Sequence, residues 1–293
     1  MNIQEQKNWA ETIRNKKSRA TYLHPLKPPK IKSQLKDIPT RFGNIPVFIF
    51  EVENQEAFSR PVYINLHGGG FVKGRAVLDN QWCAFIAETV NCTVINIDYP
   101  LAPEFKFPKA IDTIYEIVQW LYNNGFQWNL DKNRIAIGGQ SAGGNLATAV
   151  CLLNKEQENP LPIVYQILNY PPLDLVTATH KKPKFSDAVP EDIAEKFNLS
   201  YLEKIADRKN PLASPVLAKD LTGMPPGLII TAEFDSLRKE AESYANQLNL
   251  FGVETLYHQY QGVGHYFNLT GNNVELALDS WELVCSHLKE AFI

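Results

Sequence analysis

Apolar residues fall along this chain in two alternating rhythms. Short apolar runs at Val47–Val52, Val62–Leu66, Thr93–Asp98, Arg134–Gly138, Ile163–Leu168 and Leu228–Ala232 have the length and composition of strands. Several are apolar without alternation, as expected of parallel strands covered on both faces. Between them, stretches near residues 78–89, 108–124, 142–154, 236–250 and 275–291 repeat apolar residues at helical spacing. Strand–helix alternation predicts an α/β fold: a mostly parallel central sheet with helices on both faces. Residues 175–222 break the rhythm. They are polar, carry Pro183, Pro190, Pro211 and Pro215, and are far longer than a crossover needs. The expected organisation is an N-terminal cap segment and linker over 1–40 (with Pro25, Pro28 and Pro29), an α/β domain over 41–174 and 223–293, and a helical cap insertion over 175–222.

Composition narrows the field by exclusion. The 293 residues suit one α/β domain with a small insertion, and the net charge of −3 points to no nucleic acid or acidic surface. Basic residues concentrate near the N-terminus (Lys7, Arg14, Lys16, Lys17, Arg19, Lys27, Lys30, Lys32, Lys36), and are read as a solvated face. Cys83, Cys92, Cys151 and Cys285 have no metal-ligand spacing and are expected to be free thiols in a reducing compartment, which makes the cytoplasm the expected location. The first residues hold no apolar signal-peptide core, and no apolar run is long enough to span a membrane, so neither is expected.

The chemistry sits at three places. Arg134–Gly138 leads into Gly139-Gln140-Ser141-Ala142-Gly143, and a helical stretch follows. In the order strand, G-x-S-x-G, helix, the glycines permit a tight turn that lifts a serine hydroxyl clear of the backbone at a helix N-terminus. His67-Gly68-Gly69-Gly70 follows Val62–Leu66. Consecutive glycines let backbone N–H groups face a ligand oxygen without intervening side chains, and the N–H of Ala142 would add another donor. A serine needs a base. Of the six histidines, His265 alone lies in a loop between a late strand and the last helix, where it could reach the carboxyl edge of the sheet. The acid that orients it should follow another strand, and Glu233 and Asp235, just after Leu228–Ala232, are both candidates. The chain order Ser, acid, His is that of α/β-hydrolases.

With these residues in place the chain resembles the hormone-sensitive-lipase-like, HGGG-type branch of the α/β-hydrolase esterases, over about residues 60–290. The resemblance rests on His67–Phe71, Asp98–Glu104, Phe107–Ala110, Gly139–Asn145, Tyr170–Asp174, Ser214-Pro215 and Thr231–Arg238. It implies an α/β-hydrolase fold with a helical cap and a serine carboxylesterase cleaving short acyl esters. It implies that Ser141, Asp235 and His265 form a catalytic triad. Gly69, Gly70 and Ala142 would supply oxyanion donors, with His67, Gly68, Gly139 and Gly143 supporting the motifs. It implies no metal and no cofactor, and a small-molecule ester as the only partner, with a homodimer left open. The alternatives are an amide- or peptide-cleaving serine hydrolase and a ligand-binding protein on the same scaffold. Three positions depart from the family pattern: Gln140 stands for the usual Asp, Pro100 for Arg and Tyr266 for Gly. Gln140, on the elbow, is expected to reach groups around the catalytic histidine.

Overall fold

The computed structural model describes residues 1–16, 30, 31, 33–52, 59–269 and 273–293, so Pro25, Pro28 and Pro29 of the expected linker lie outside the described residues. The elements in chain order are α1 (Ile3–Asn15), β1 (Gln34–Thr40), β2 (Gly43–Phe50), β3 (Arg60–Leu66), α2 (Asn80–Val90), β4 (Thr93–Ile97), α3 (Lys109–Asn124), β5 (Leu130–Gln140), α4 (Ala142–Lys155), β6 (Ile163–Asn169), α5 (Glu191–Tyr201), β7 (Gly227–Phe234), α6 (Arg238–Leu250), β8 (Thr255–Gly264) and α7 (Val274–Ala291). The sheet has the order β1-β2-β4-β3-β5-β6-β7-β8. Only β1 and β2 run antiparallel to their neighbours. The expected mostly parallel α/β architecture is therefore observed.

The unalternated apolar strands have the expected cause. All five residues of β4 are buried, because helices cover both of its faces. Along β3, Val62, Ile64 and Leu66 join the core shared with α3, α4 and α6. Tyr63, pointing the other way, joins the core shared with α2 and α7, where Trp82 and Trp281 stack with ring centroids 4.5 Å apart. Residues 34–40 correct the expected boundary. They lie in the sheet as edge strand β1, paired with β2 from Gln34↔Ile49 to Thr40↔Gly43. Exposed polar residues and Pro39 hid this strand: only Ile38 is buried along it. A Pro and polar outward residues are normal for an edge.

The region 175–222 contains α5 and three short 3-10 turns rather than a bundle of helices. It is held to the body by a buried ion pair, Lys182 Nζ to Glu240 Oε2 at 2.5 Å, while Glu240 Oε1 accepts from the N–H of Leu173 at 2.7 Å. From the other side α1 meets α5, with the Trp9 and Phe197 rings edge to face at 5.4 Å. A capping box, Asn2 with Glu5, starts α1. Arg14, in its last turn, ties it down: Nε donates to the Val72 carbonyl at 2.8 Å, Nη2 to that of Ala102 at 2.7 Å, and the fork grips Glu104. Arg14 also holds the Glu104 carboxyl below the usual range.

These Arg14 bonds are half exposed and screened, so Arg14→Met is expected to lower Tm by only about 2 °C. It should nevertheless free α1, read as faster proteolytic cleavage within residues 1–16, by more than this small loss of global stability accounts for. Unchanged cleavage would show that the Trp9–Phe197 contact holds the helix alone.

Candidate active site

Strand β5 ends at Gln140 and α4 begins at Ala142, which leaves Ser141 alone to make the turn. Ser141 has φ 52 and ψ −118, a conformation that non-glycine residues rarely adopt. The surroundings over-determine it. A Cβ at Gly139 or Gly143 would overlap the carbonyl oxygen of Leu66, so α4 can start against the end of β3 only with glycine at both positions. The N–H of Ser141 donates to the Asn169 carbonyl at 2.8 Å, tying the elbow to β6. The hydroxyl is thereby aimed away from the sheet, yet the residue is only 6% exposed.

Sheet register brings the other two groups to it. Phe234, the last residue of β7, pairs with Gly264, the last of β8, so the residues that follow, Asp235 and His265, emerge side by side. Asp235 Oδ2 lies 2.6 Å from His265 Nδ1, and His265 Nε2 lies 3.0 Å from Ser141 Oγ. A carboxylate can only accept, so Nδ1 carries the proton and Nε2 offers its lone pair to the serine hydroxyl. Asp235 is fully buried, and its Oδ1 accepts from the N–H of Leu237 at 3.0 Å. Glu233, the other candidate acid, turns away: its Oε2 accepts from the N–H of Gly262 at 2.7 Å. The Tyr170 and His265 rings meet edge to face with centroids 4.8 Å apart.

The glycine run after β3 forms a loop whose φ values demand glycine, +132 at Gly69 and +61 at Gly70. A Cβ on Gly70 would overlap the Phe197 ring, so the loop lies directly under α5. Among the described residues, the N–H groups of Gly69, Gly70 and Ala142 have no hydrogen-bond acceptor. Three unused donors beside a buried serine suit a developing oxyanion. His67 shapes this loop rather than reacting. Its ring is buried, stacks on Tyr99 at 4.2 Å and places Nδ1 2.8 Å from the Gly68 carbonyl, and burial lowers its pKa.

Gln140 does not face the histidine, contrary to the expectation for this position. Period two puts Asn65, Asn96 and Gln140 on the α2 side of β3, β4 and β5, next to Asp79 at the start of α2. The Gln140 amide, oriented to suit its neighbours, places its nitrogen 3.0 Å from Asp79 Oδ2 and 3.1 Å from the Leu66 carbonyl. The Asn65 amide donates to the same carboxylate at 3.1 Å. Asp79 was not singled out by the sequence, because one acid ahead of an apolar helix resembles any helix start. Burial pushes its carboxyl up to about 7.

The serine opens into a cavity of about 170 Å³, walled by Phe71 and Tyr266 from the loops and by Leu175, Phe185, Val189 and Phe197 from 175–222. Tyr201, another aromatic of that region, is buried behind the wall, stacked on Phe71 at 3.8 Å. The free cysteines Cys83, Cys92, Cys151 and Cys285 are all buried. Among the described residues no helix is long and apolar enough to cross a membrane.

Comparison with known proteins gives the site its context. The family model for the α/β-hydrolase fold matches residues 63–269. An arylesterase of Saccharolobus solfataricus is 35% identical over 208 residues, 70% of this chain and 67% of that protein. The carboxylic ester hydrolase LipN of Mycobacterium tuberculosis is 33% identical over 225 residues, 74% of this chain and 59% of that protein. The chain thus spans about three-fifths to two-thirds of the length of the curated relatives it matches. A solved hyperthermophilic esterase of the archaeon Pyrobaculum calidifontis superposes with a TM-score of 0.81 at 28% identity, covering 99% of this chain and 93% of that one.

The buried Asp79 generates a stability test with a defined sign. Unfolded, it loses its proton near the ordinary carboxylate value of 3.8; folded, it keeps it to about 7. Raising the pH through that window therefore costs folded-state stability, because the unfolded chain has already released the proton. Asp79→Asn keeps the shape and has no proton to lose. Its Tm, relative to the parent protein, should improve more at pH 8 than at pH 5; an equal difference at both would show that Asp79 titrates normally.

Proposed function

This chain belongs to the α/β-hydrolase fold family, and we propose that it is a carboxylic-ester hydrolase working through a Ser141–His265–Asp235 triad on short acyl esters. The observation that carries the reading is the unbroken hydrogen-bonded line from Ser141 Oγ through the His265 ring to Asp235, buried throughout. The esterase names of its relatives support it. Ser141 Oγ attacks the ester carbonyl carbon while His265 Nε2 takes the hydroxyl proton. Asp235 holds the ring in the Nδ1–H tautomer and stabilises the imidazolium that forms. The oxyanion faces the N–H groups of Gly69, Gly70 and Ala142, at the positive end of α4. The intermediate collapses, the alcohol oxygen leaves and takes the proton from His265, and the acyl group stays on Ser141. Water then adds to the acyl carbon, giving one proton to His265; the carboxylic acid departs as that proton returns to the serine oxygen.

In this reading α1 and residues 175–222 act together as the cap, since they meet at Trp9–Phe197 and close the loop over Gly70. Buried free thiols suit a cytoplasmic site of action.

Ser141→Ala should cut kcat by several orders of magnitude with an unchanged melting curve. Asp235→Asn should be far more damaging than Glu233→Gln, because only Asp235 touches the ring; the reverse order, measured as kcat/KM on p-nitrophenyl acetate, would overturn the triad. The limited cavity under Phe197 should favour acetyl to hexanoyl esters. Faster release of acid from emulsified long-chain triglyceride than from soluble butyrate esters would contradict that size limit.

A further inference from the structure

The cavity over Ser141 is mostly apolar, and the charged groups on its wall are already matched. Lys182 is taken up by Glu240 and by the Asp174 carbonyl, and Lys184 pairs with Glu191 at 2.8 Å. Among the uncharged polar side chains of the wall there is one amide, Asn198. Ala194, Phe197, Asn198 and Tyr201 occupy i, i+3, i+4 and i+7 of α5, the face turned to the body of the protein. Asn198 lines the cavity beside Phe197 and is only 7% exposed. Its backbone carbonyl accepts from the N–H of Leu202 at 3.1 Å, but its side-chain amide makes no hydrogen bond among the described residues. Neither polar atom of this amide is sealed from solvent, so it stays open to whatever occupies the cavity, at a place where an apolar residue would otherwise fill the wall better.

Resting on the ester-hydrolase reading, we propose that Asn198 is a specificity-determining residue that hydrogen-bonds an uncharged oxygen of the substrate, so that hydroxylated esters are preferred over plain alkyl esters of the same shape. The recognised group is a hydroxyl, and it can come from either half of the ester: a hydroxyacyl chain or the monoester of a diol. Anionic substrates gain nothing here, because each lysine on the wall has its carboxylate. A site built around a hydrogen bond rejects the methyl analogue strongly, since that analogue leaves the amide unpaired.

Two pairs of substrates differ only by hydroxyl against methyl: ethyl 3-hydroxybutyrate against ethyl 3-methylbutyrate, and 2-hydroxyethyl butyrate against propyl butyrate. Hydrolysis of all four is followed by acid release. The first pair reads the acyl side and the second the alcohol side. The expected result is a preference for the hydroxyl member of one pair of about tenfold in kcat/KM. Asn198→Leu should abolish it while leaving the methyl member as fast or faster. Asn198→Ala, which suits a helix, repeats the test should Leu disturb folding. Equal rates within both pairs for the parent protein would overturn the inference, as would variants that slow both members alike. A parent protein that cleaves none of the four, and loses nothing in Ser141→Ala, would overturn the esterase reading instead.

Discussion

The carbonyl oxygen of Leu66, at the end of β3, is where the whole site is fixed. A Cβ at Gly139 or at Gly143 would collide with it, and the Gln140 amide donates to it. The elbow that carries Ser141 is therefore clamped onto the neighbouring strand by contacts that leave no room for a side chain. The very next residue, His67, starts the glycine loop. One backbone oxygen thus ties the serine turn to the strand that leads into the glycine loop. Preorganised donors are effective because nothing has to move when charge develops. The strain stored at Ser141 persists only because packing on all sides leaves the turn no alternative.

Behind this clamp lies a polar layer that the apolar core does not explain. Asn65, Asn96, Gln140 and Asp79 are all buried on the α2 side, bonded to one another. Buried amides confined to one face of three adjacent strands rigidify the ends of those strands, provided that their bonds are made. The acid in this layer bonds only to the scaffold, while Asp235, against the His265 ring, is kept separate and is carried by a different strand pair. Glu240 makes a third use of a buried carboxylate, holding residues 173, 174 and 182 together at the cavity wall.

Closure from above depends on a different set of contacts. Helix α1 is anchored by Arg14, by the Trp9–Phe197 pair and by Ala10 in the core, and α5 meets the glycine loop through Phe197 on Gly70 and Tyr201 on Phe71. Ser141, Asp235 and His265 are carried by the sheet, while the covering pieces come from separate segments, α1 and residues 175–222. That division suits a site in which the reacting groups must stay fixed while the wall admits and releases substrate.

The parallel α/β architecture, the serine elbow, the glycine loop and the loop histidine were legible in the residues alone. Each is a local pattern: apolar runs too continuous for a half-exposed strand, glycines at fixed offsets from a serine, a histidine just past a strand. The choice between Glu233 and Asp235 was not local. It follows from the pairing of Phe234 with Gly264, which sets Asp235 and not Glu233 beside His265. Gln140 found its partner 61 positions earlier, at Asp79, because pleating turns its side chain to the α2 face, and no spacing in the sequence records that. The edge strand β1 was hidden by its own exposure, since a strand with one buried residue has no apolar rhythm to read. Asn198 became visible only when α5 folded down over the serine and left one amide without a partner. Chemistry carried by short-range geometry is written in the sequence; partnerships made by the packing of distant segments are decided by the tertiary structure, because they depend on where chain ends of the sheet and the faces of helices finally meet.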